Sequence, residues 1–153
     1  MSKKKYTLPP TVSLHRYWMS ANKMRQCFEK SLGTSGVKWV EFAKKDPLRG
    51  SVMFMCDEPG IFMSHWYGSL SAVIEGWKSL KLTYPPLDTL LQSPNVRRLR
   101  EFRNGAFHFQ PEYFSPKFAD FMHERSSVKW VREVSSRFGE YFLKYDPEGN
   151  PRV

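Results

Sequence analysis

Arg103, Asn104 and His108 put a guanidinium, a carboxamide and an imidazole into the short run Arg103-Asn104-Gly105-Ala106-Phe107-His108. An imidazole exchanges protons near neutral pH, with an unperturbed pKa of ~6.5. A guanidinium meets anionic oxygens with two parallel hydrogen bonds. Arg97, Arg98 and Arg100 extend the positive charge upstream and are candidate phosphate contacts. Taken one at a time these residues have plainer readings. An arginine on a helix is usually solvated, and a histidine near a helix C-terminus can be a cap that suits the dipole. The combination is what points to a site.

A helix has to position this run. Pro94 and Pro111 bound a stretch with room for about four turns at ~1.5 Å per residue. At ~100° per residue, Leu99, Phe102, Ala106 and Phe109 fall within an arc of about 80°, a core face. Arg97, Arg100, Asn104 and His108 fall within a similar arc on the opposite side. Arg103 lies between the two, where its stem can cover apolar surface while its head group reaches polar surroundings.

The rest of the chain reads as further helices. Residues 1–10, with Lys3, Lys4, Lys5 and Leu8-Pro9-Pro10, read as a disordered basic tail. Thr11 or Ser13 can cap a long helix whose apolar stripe runs Leu14, Tyr17, Trp18, Ala21, Met24, Phe28 and Leu32, with Gly33 as its stop. Gly33-Thr34-Ser35-Gly36 reads as a turn. Val37 to Lys45 reads as a short helix anchored by Val37, Val40 and Phe42 and broken at Asp46-Pro47.

Ser51 to Cys56 is a dense apolar run of strand length. With no second strand to pair with, a buried helical or irregular segment is preferred to an extended one. Ile61 to Leu80 forms a second long helix carrying Phe62, Trp66, Ser69, Val73 and Trp77, and its small residues Gly68, Ser69, Ala72 and Gly76 permit close approach. His65 reads as a hydrogen-bonded structural histidine, and Glu75 and Lys78 as a surface pair. Leu87 to Leu91 is a short helical turn. Pro116 opens another, with Phe118, Phe121 and Met122 on one side. Ser126 or Ser127 can cap a last helix with the core face Val128, Val131, Val134, Phe138, Tyr141 and Phe142. Residues 146–153 form a C-terminal tail, leaving 11–145 as a single all-α domain: a bundle with several short helices and loops.

Composition narrows the function classes. The chain's 153 residues can bury a core without staples. Hydrophobic residues at 41% and charged residues at 25% are those of a soluble globular protein. No apolar run approaches the ~20 residues of a membrane span. No apolar signal core follows the first lysines, so no membrane insertion and a cytoplasmic location are expected. Cys27 and Cys56 make neither a disulfide framework nor a zinc site and read as buried small hydrophobes. A net charge of +9 favours an acidic partner, foremost a nucleic acid. Phosphate-cradling glycine loops, dinucleotide fingerprints, zinc-ligand pairs and nucleophile elbows are all missing from the sequence. His123-Glu124 has no partner ligand at helical spacing. No metal and no cofactor is called for.

Arg103-Asn104-Gly105-Ala106-Phe107-His108, after the amphipathic lead-in Leu99-Arg100-Glu101-Phe102, resembles the R-x4-6-H signature of the HEPN family (higher eukaryotes and prokaryotes nucleotide-binding). The resemblance implies an all-α bundle, commonly a homodimer in which two such motifs face one cleft. Many members are metal-independent endoribonucleases, often toxins of toxin–antitoxin or phage-defence systems, and RNA and a cognate antitoxin are then the partners. Others are non-catalytic nucleotide- or RNA-binding or protein-interaction modules. For an active member, the resemblance makes His108 the proton-transfer group and Arg103 the stabiliser of the phosphoryl oxygens. Asn104 then binds the phosphate or holds the imidazole, and Arg97, Arg98 and Arg100 contact RNA. Gly105 inside the motif weakens the helix by ~1 kcal/mol relative to alanine.

Overall fold

The structure, a computed structural model, describes residues 8–112, 121–145 and 151, with the backbone alone over 34–38. Six helices are named here: α1 (Pro10–Lys45), α2 (Pro47–Cys56), α3 (Glu58–Ser79), α4 (Pro85–Leu90), α5 (Asn95–Phe107) and α6 (Arg125–Lys144). Residues 121–123 are helical as well, and no strand is formed among the described residues. The expected all-α class holds.

α3 is the axis of the bundle. Trp66, Leu70, Val73 and Trp77 are buried along one side, Tyr67 and Ile74 beside them, and Ser64, Gly68 and Ser71 further round, together too wide an arc for a helix with one wet face. α1 runs antiparallel to it. Leu14, near the start of α1, reaches Gly76 near the end of α3, and the Phe28 ring lies 5.7 Å from Trp66. α6 runs parallel to α3, with Trp66 Nε1 donating to Ser135 Oγ at 3.2 Å and the Trp77 ring 4.7 Å from Tyr141. α5 returns antiparallel along the remaining side, where Phe102 packs 5.3 Å from Tyr67. The result is an up-and-down arrangement of four helices with α2 and α4 in its connections. Two further indoles tie elements together: Trp130 Nε1 donates to the Leu90 carbonyl at 2.9 Å and Trp77 Nε1 to Asp88 Oδ1 at 3.2 Å.

Several local expectations change. Gly33 to Gly36 is no turn, because α1 is one helix of 36 residues, about 54 Å long. Trp39 is buried far along it, and Gly50 of α2 sits directly on Ala43. Such tertiary packing outweighs the ~1 kcal/mol that each helical glycine costs. Of the expected anchors there, Val40 is exposed and Phe42 half-buried, and the side chain of Val37 lies outside the described residues.

Ser51 to Cys56 is helical, within α2. Asp46 Oδ1 caps that helix by accepting from the Arg49 N–H at 3.0 Å, and Pro47 occupies its first position. α3 starts earlier than Ile61 because Pro59 suits a first turn. It ends in a Schellman motif, with Leu82 N–H donating to the Trp77 carbonyl and Lys81 at φ 52°. α6 is capped by neither Ser126 nor Ser127. Glu124 stands at its N-cap, and both serine hydroxyls donate to the Glu124 carboxylate.

Cys56 is exposed and Cys27 half-exposed, so neither is a buried hydrophobe. Pro10 belongs to α1 rather than to a tail. The basic run Lys3 to Lys5, the turn at Pro116 with Phe118, and residues 146–150 and 152–153 lie outside the described residues. Among the described residues no helix is long and apolar enough to cross a membrane.

Candidate functional site

α5 delivers the motif. Leu99 and Phe102 are fully buried against α3, which fixes the roll of the helix about its own axis. That roll carries Arg97 and Arg100 to the surface and leaves Arg103 half-buried at the α3 boundary. The helix ends at Phe107. His108 is the C-cap with extended backbone, φ −109° and ψ 133°, its N–H donating to the Asn104 carbonyl at 3.0 Å. Beyond this point the helical projection no longer applies. Phe109, expected on the core face, is 93% exposed, and Ala106 is only half-buried.

Phe107 takes over as the anchor. Its ring lies over Gly68 so closely that a Cβ built there meets Phe107 Cε2 at 1.9 Å. It also stands edge-on to His65, centroids 5.3 Å apart. His65 is itself exposed, a ring contact on the surface rather than a buried hydrogen-bonded residue.

The arginine is held from two sides. Arg103 Nη1 donates to Glu75 Oε2 on α3 at 2.8 Å, and Nε and Nη2 both donate to Asn104 Oδ1, at 3.3 and 3.1 Å. Three of the five guanidinium N–H groups are thus engaged, and two remain for an anion. Asn104 therefore orients the guanidinium, not the imidazole, and its own amide hydrogens face no described partner. The His108 ring is exposed and makes no hydrogen bond among the described residues. Arg103 and Asn104 are brought together side chain to side chain, while His108 joins them through its backbone.

The three upstream arginines separate. Arg98 forms an ion pair with Glu124 at the start of α6. Hydrogen bonding from Ser126, helped by the Arg98 charge, holds the Glu124 carboxyl below the usual carboxylate range. Beside this pair, Ser127 is fully buried and donates to Asn95 Oδ1 at 3.4 Å, tying α5 to α6. Arg98 thus links α5 to Glu124 and does not line the groove described next.

Arg97 and Arg100 line a groove of about 360 Å³ between α3 and α5, together with Glu75 and Lys78 and the floor residues Ile74, Leu91 and Val96. Glu75 does not pair with Lys78 as their spacing suggests. It reaches across to Arg103 and leaves Lys78 at the groove edge. Glu75, Lys78 and the groove-edge Gln92 are site residues that the reading of α5 missed. Helical spacing placed Glu75 and Lys78 on one face but could not show what faced them. No group of side chains suited to a metal ion occurs among the described residues. Comparison with protein-family models, curated proteins and solved structures yields no match.

Proposed function

We propose that this chain is a HEPN-type endoribonuclease that cuts RNA without a metal at Arg103, Asn104 and His108, acting as a cytoplasmic homodimer. The observation that carries the reading is Arg103. Its guanidinium is clamped by Glu75 and Asn104 with two N–H groups left over, at the end of a basic groove and five residues before the exposed His108. In the reaction His108 takes the proton of the RNA 2′-hydroxyl, and the oxygen attacks the adjacent phosphorus. Arg103 meets the negative charge that builds on the phosphoryl oxygens, already oriented when that charge appears. The bond to the 5′-oxygen breaks and leaves a 2′,3′-cyclic phosphate. The departing oxygen needs a proton, and the motif of a second copy is the source, which makes the dimer the working unit. A toxin restrained by a cognate antitoxin protein is the biological setting that fits such an activity.

Pure protein should cut RNA in the presence of a chelator and leave 2′,3′-cyclic ends. His108→Ala should abolish cleavage with the fold intact, since the ring is exposed. Arg103→Ala should cost about 3 kcal/mol of transition-state stabilisation, as when one oxyanion donor is removed. Cleavage that persists in folded His108→Ala protein refutes the site. One observation favours a second reading, a non-catalytic RNA- or nucleotide-binding module: the Glu75 carboxylate already neutralises Arg103. Salt-sensitive RNA binding by a chain that cuts no RNA would establish that reading.

A further inference from the structure

We propose that the α3–α5 groove is a subsite for one unpaired nucleotide, so that the RNA engaged beside Arg103 is single-stranded or looped rather than duplex. The inference deepens the ribonuclease reading and rests on it for the identity of the ligand as RNA.

The groove combines two surfaces that a nucleotide needs together. Its floor is apolar, made by Ile74, Leu91 and Val96, and its rim carries Lys78, Arg97 and Arg100. Among the described residues none of these three cations takes part in an ion pair, whereas the neighbouring Arg98 and Arg103 both do. Uncompensated cations over an apolar floor suit a flat base below and a phosphate above, and a guanidinium can also stack on the base. A groove of about 360 Å³ stands near the small end of ligand clefts, which run from ~300 to ~1,000 Å³. It admits a single nucleotide-sized group. Base-paired RNA keeps its bases stacked inside the helix and is recognised by shape and backbone contacts, so duplex cannot use such a floor. The far edge of the groove is close to Arg103, because Glu75 both lines it and bonds that guanidinium. A base seated here therefore belongs to a nucleotide next to the phosphate that Arg103 holds.

The experiment is fluorescence anisotropy on the full chain carrying His108→Ala, which keeps the probe uncut. The probes are a short labelled RNA strand of mixed sequence, the same strand annealed to its complement, and the same strand with abasic sites. The expected result is about tenfold tighter binding of the single strand than of either other probe at equal salt, the size of effect that base contacts produce. Val96→Glu, which puts a carboxylate on the half-buried apolar floor, should abolish that preference while circular dichroism stays unchanged. Equal affinity for all three probes, or a preference that survives in folded Val96→Glu protein, overturns the subsite. Because the assay reads binding alone, its outcome is separate from the cleavage assay. A chain that cuts RNA yet binds abasic strands equally well keeps its catalytic reading and loses this one.

Discussion

Gly68→Ala tests whether the seat of Phe107 sets the position of His108. The built Cβ lies 1.9 Å from Cε2, 2.8 Å from Cζ and 3.0 Å from Cδ2 of Phe107. Carbon atoms in contact settle near ~3.5 Å, so the ring edge must retreat by about 1.5 Å. Phe107 is 48% exposed, so the ring can swing outward rather than distort α3. Lost packing on α3 and His65 costs on the order of 1–2 kcal/mol. Alanine in a helix interior returns ~1 kcal/mol relative to glycine. The net loss in unfolding free energy is thus about 1 kcal/mol or less. The effect on chemistry should be far larger, because His108 follows Phe107 directly and a displacement near ~1 Å can cost ~100-fold in rate. Urea unfolding and single-turnover RNA cleavage read the two quantities side by side, and the histidine resonances report any shift of His108. Phe107→Ala removes the clashing ring, so the double variant should be no worse than Phe107→Ala alone. Wild-type cleavage by a folded Gly68→Ala protein would refute the idea that this seat positions the imidazole.

The remaining perturbations probe charge, burial and backbone. Glu75→Gln removes a carboxylate from beside the groove, and RNA affinity at low salt should rise about threefold, the gain fading near ~0.5 M salt; unchanged affinity would mean that this carboxylate does not compete with phosphate. Burial pushes the Tyr67 phenol up to about 12 from the usual 10.0. The folded state therefore keeps a proton that the unfolded state loses, so stability should fall as pH rises from ~10 towards ~12, by on the order of 2 kcal/mol. Tyr67→Phe should flatten that slope in chemical unfolding at alkaline pH, and an unaltered slope would place its cause elsewhere. Lys81 holds a left-handed conformation at the end of α3, so Lys81→Gly should raise the unfolding free energy by about 0.5–1 kcal/mol; a loss would show that the lysine side chain contributes something the backbone argument omits.

Much of this architecture is legible in the sequence because helix formation is written in short-range periodicity. The core faces of α3 and α6 could be read from residues three and four apart, and Trp66, Val73, Trp77, Val131, Val134, Phe138 and Tyr141 are indeed buried. The same spacing put Leu99 and Phe102 inward on α5 and Arg97 and Arg100 outward. Local signals failed where packing overrode them. Glycines at 33 and 36 read as a turn, yet Trp39 and the Gly50–Ala43 contact keep α1 continuous. The site divides along the same line. Its residue types and their order on α5 belong to the sequence. The partners belong to the tertiary structure: Glu75 on Arg103 instead of Lys78, Glu124 on Arg98, and Gly68 beneath Phe107. Such contacts join helices far apart in the chain, and nothing within one helix specifies which neighbour its polar face will meet.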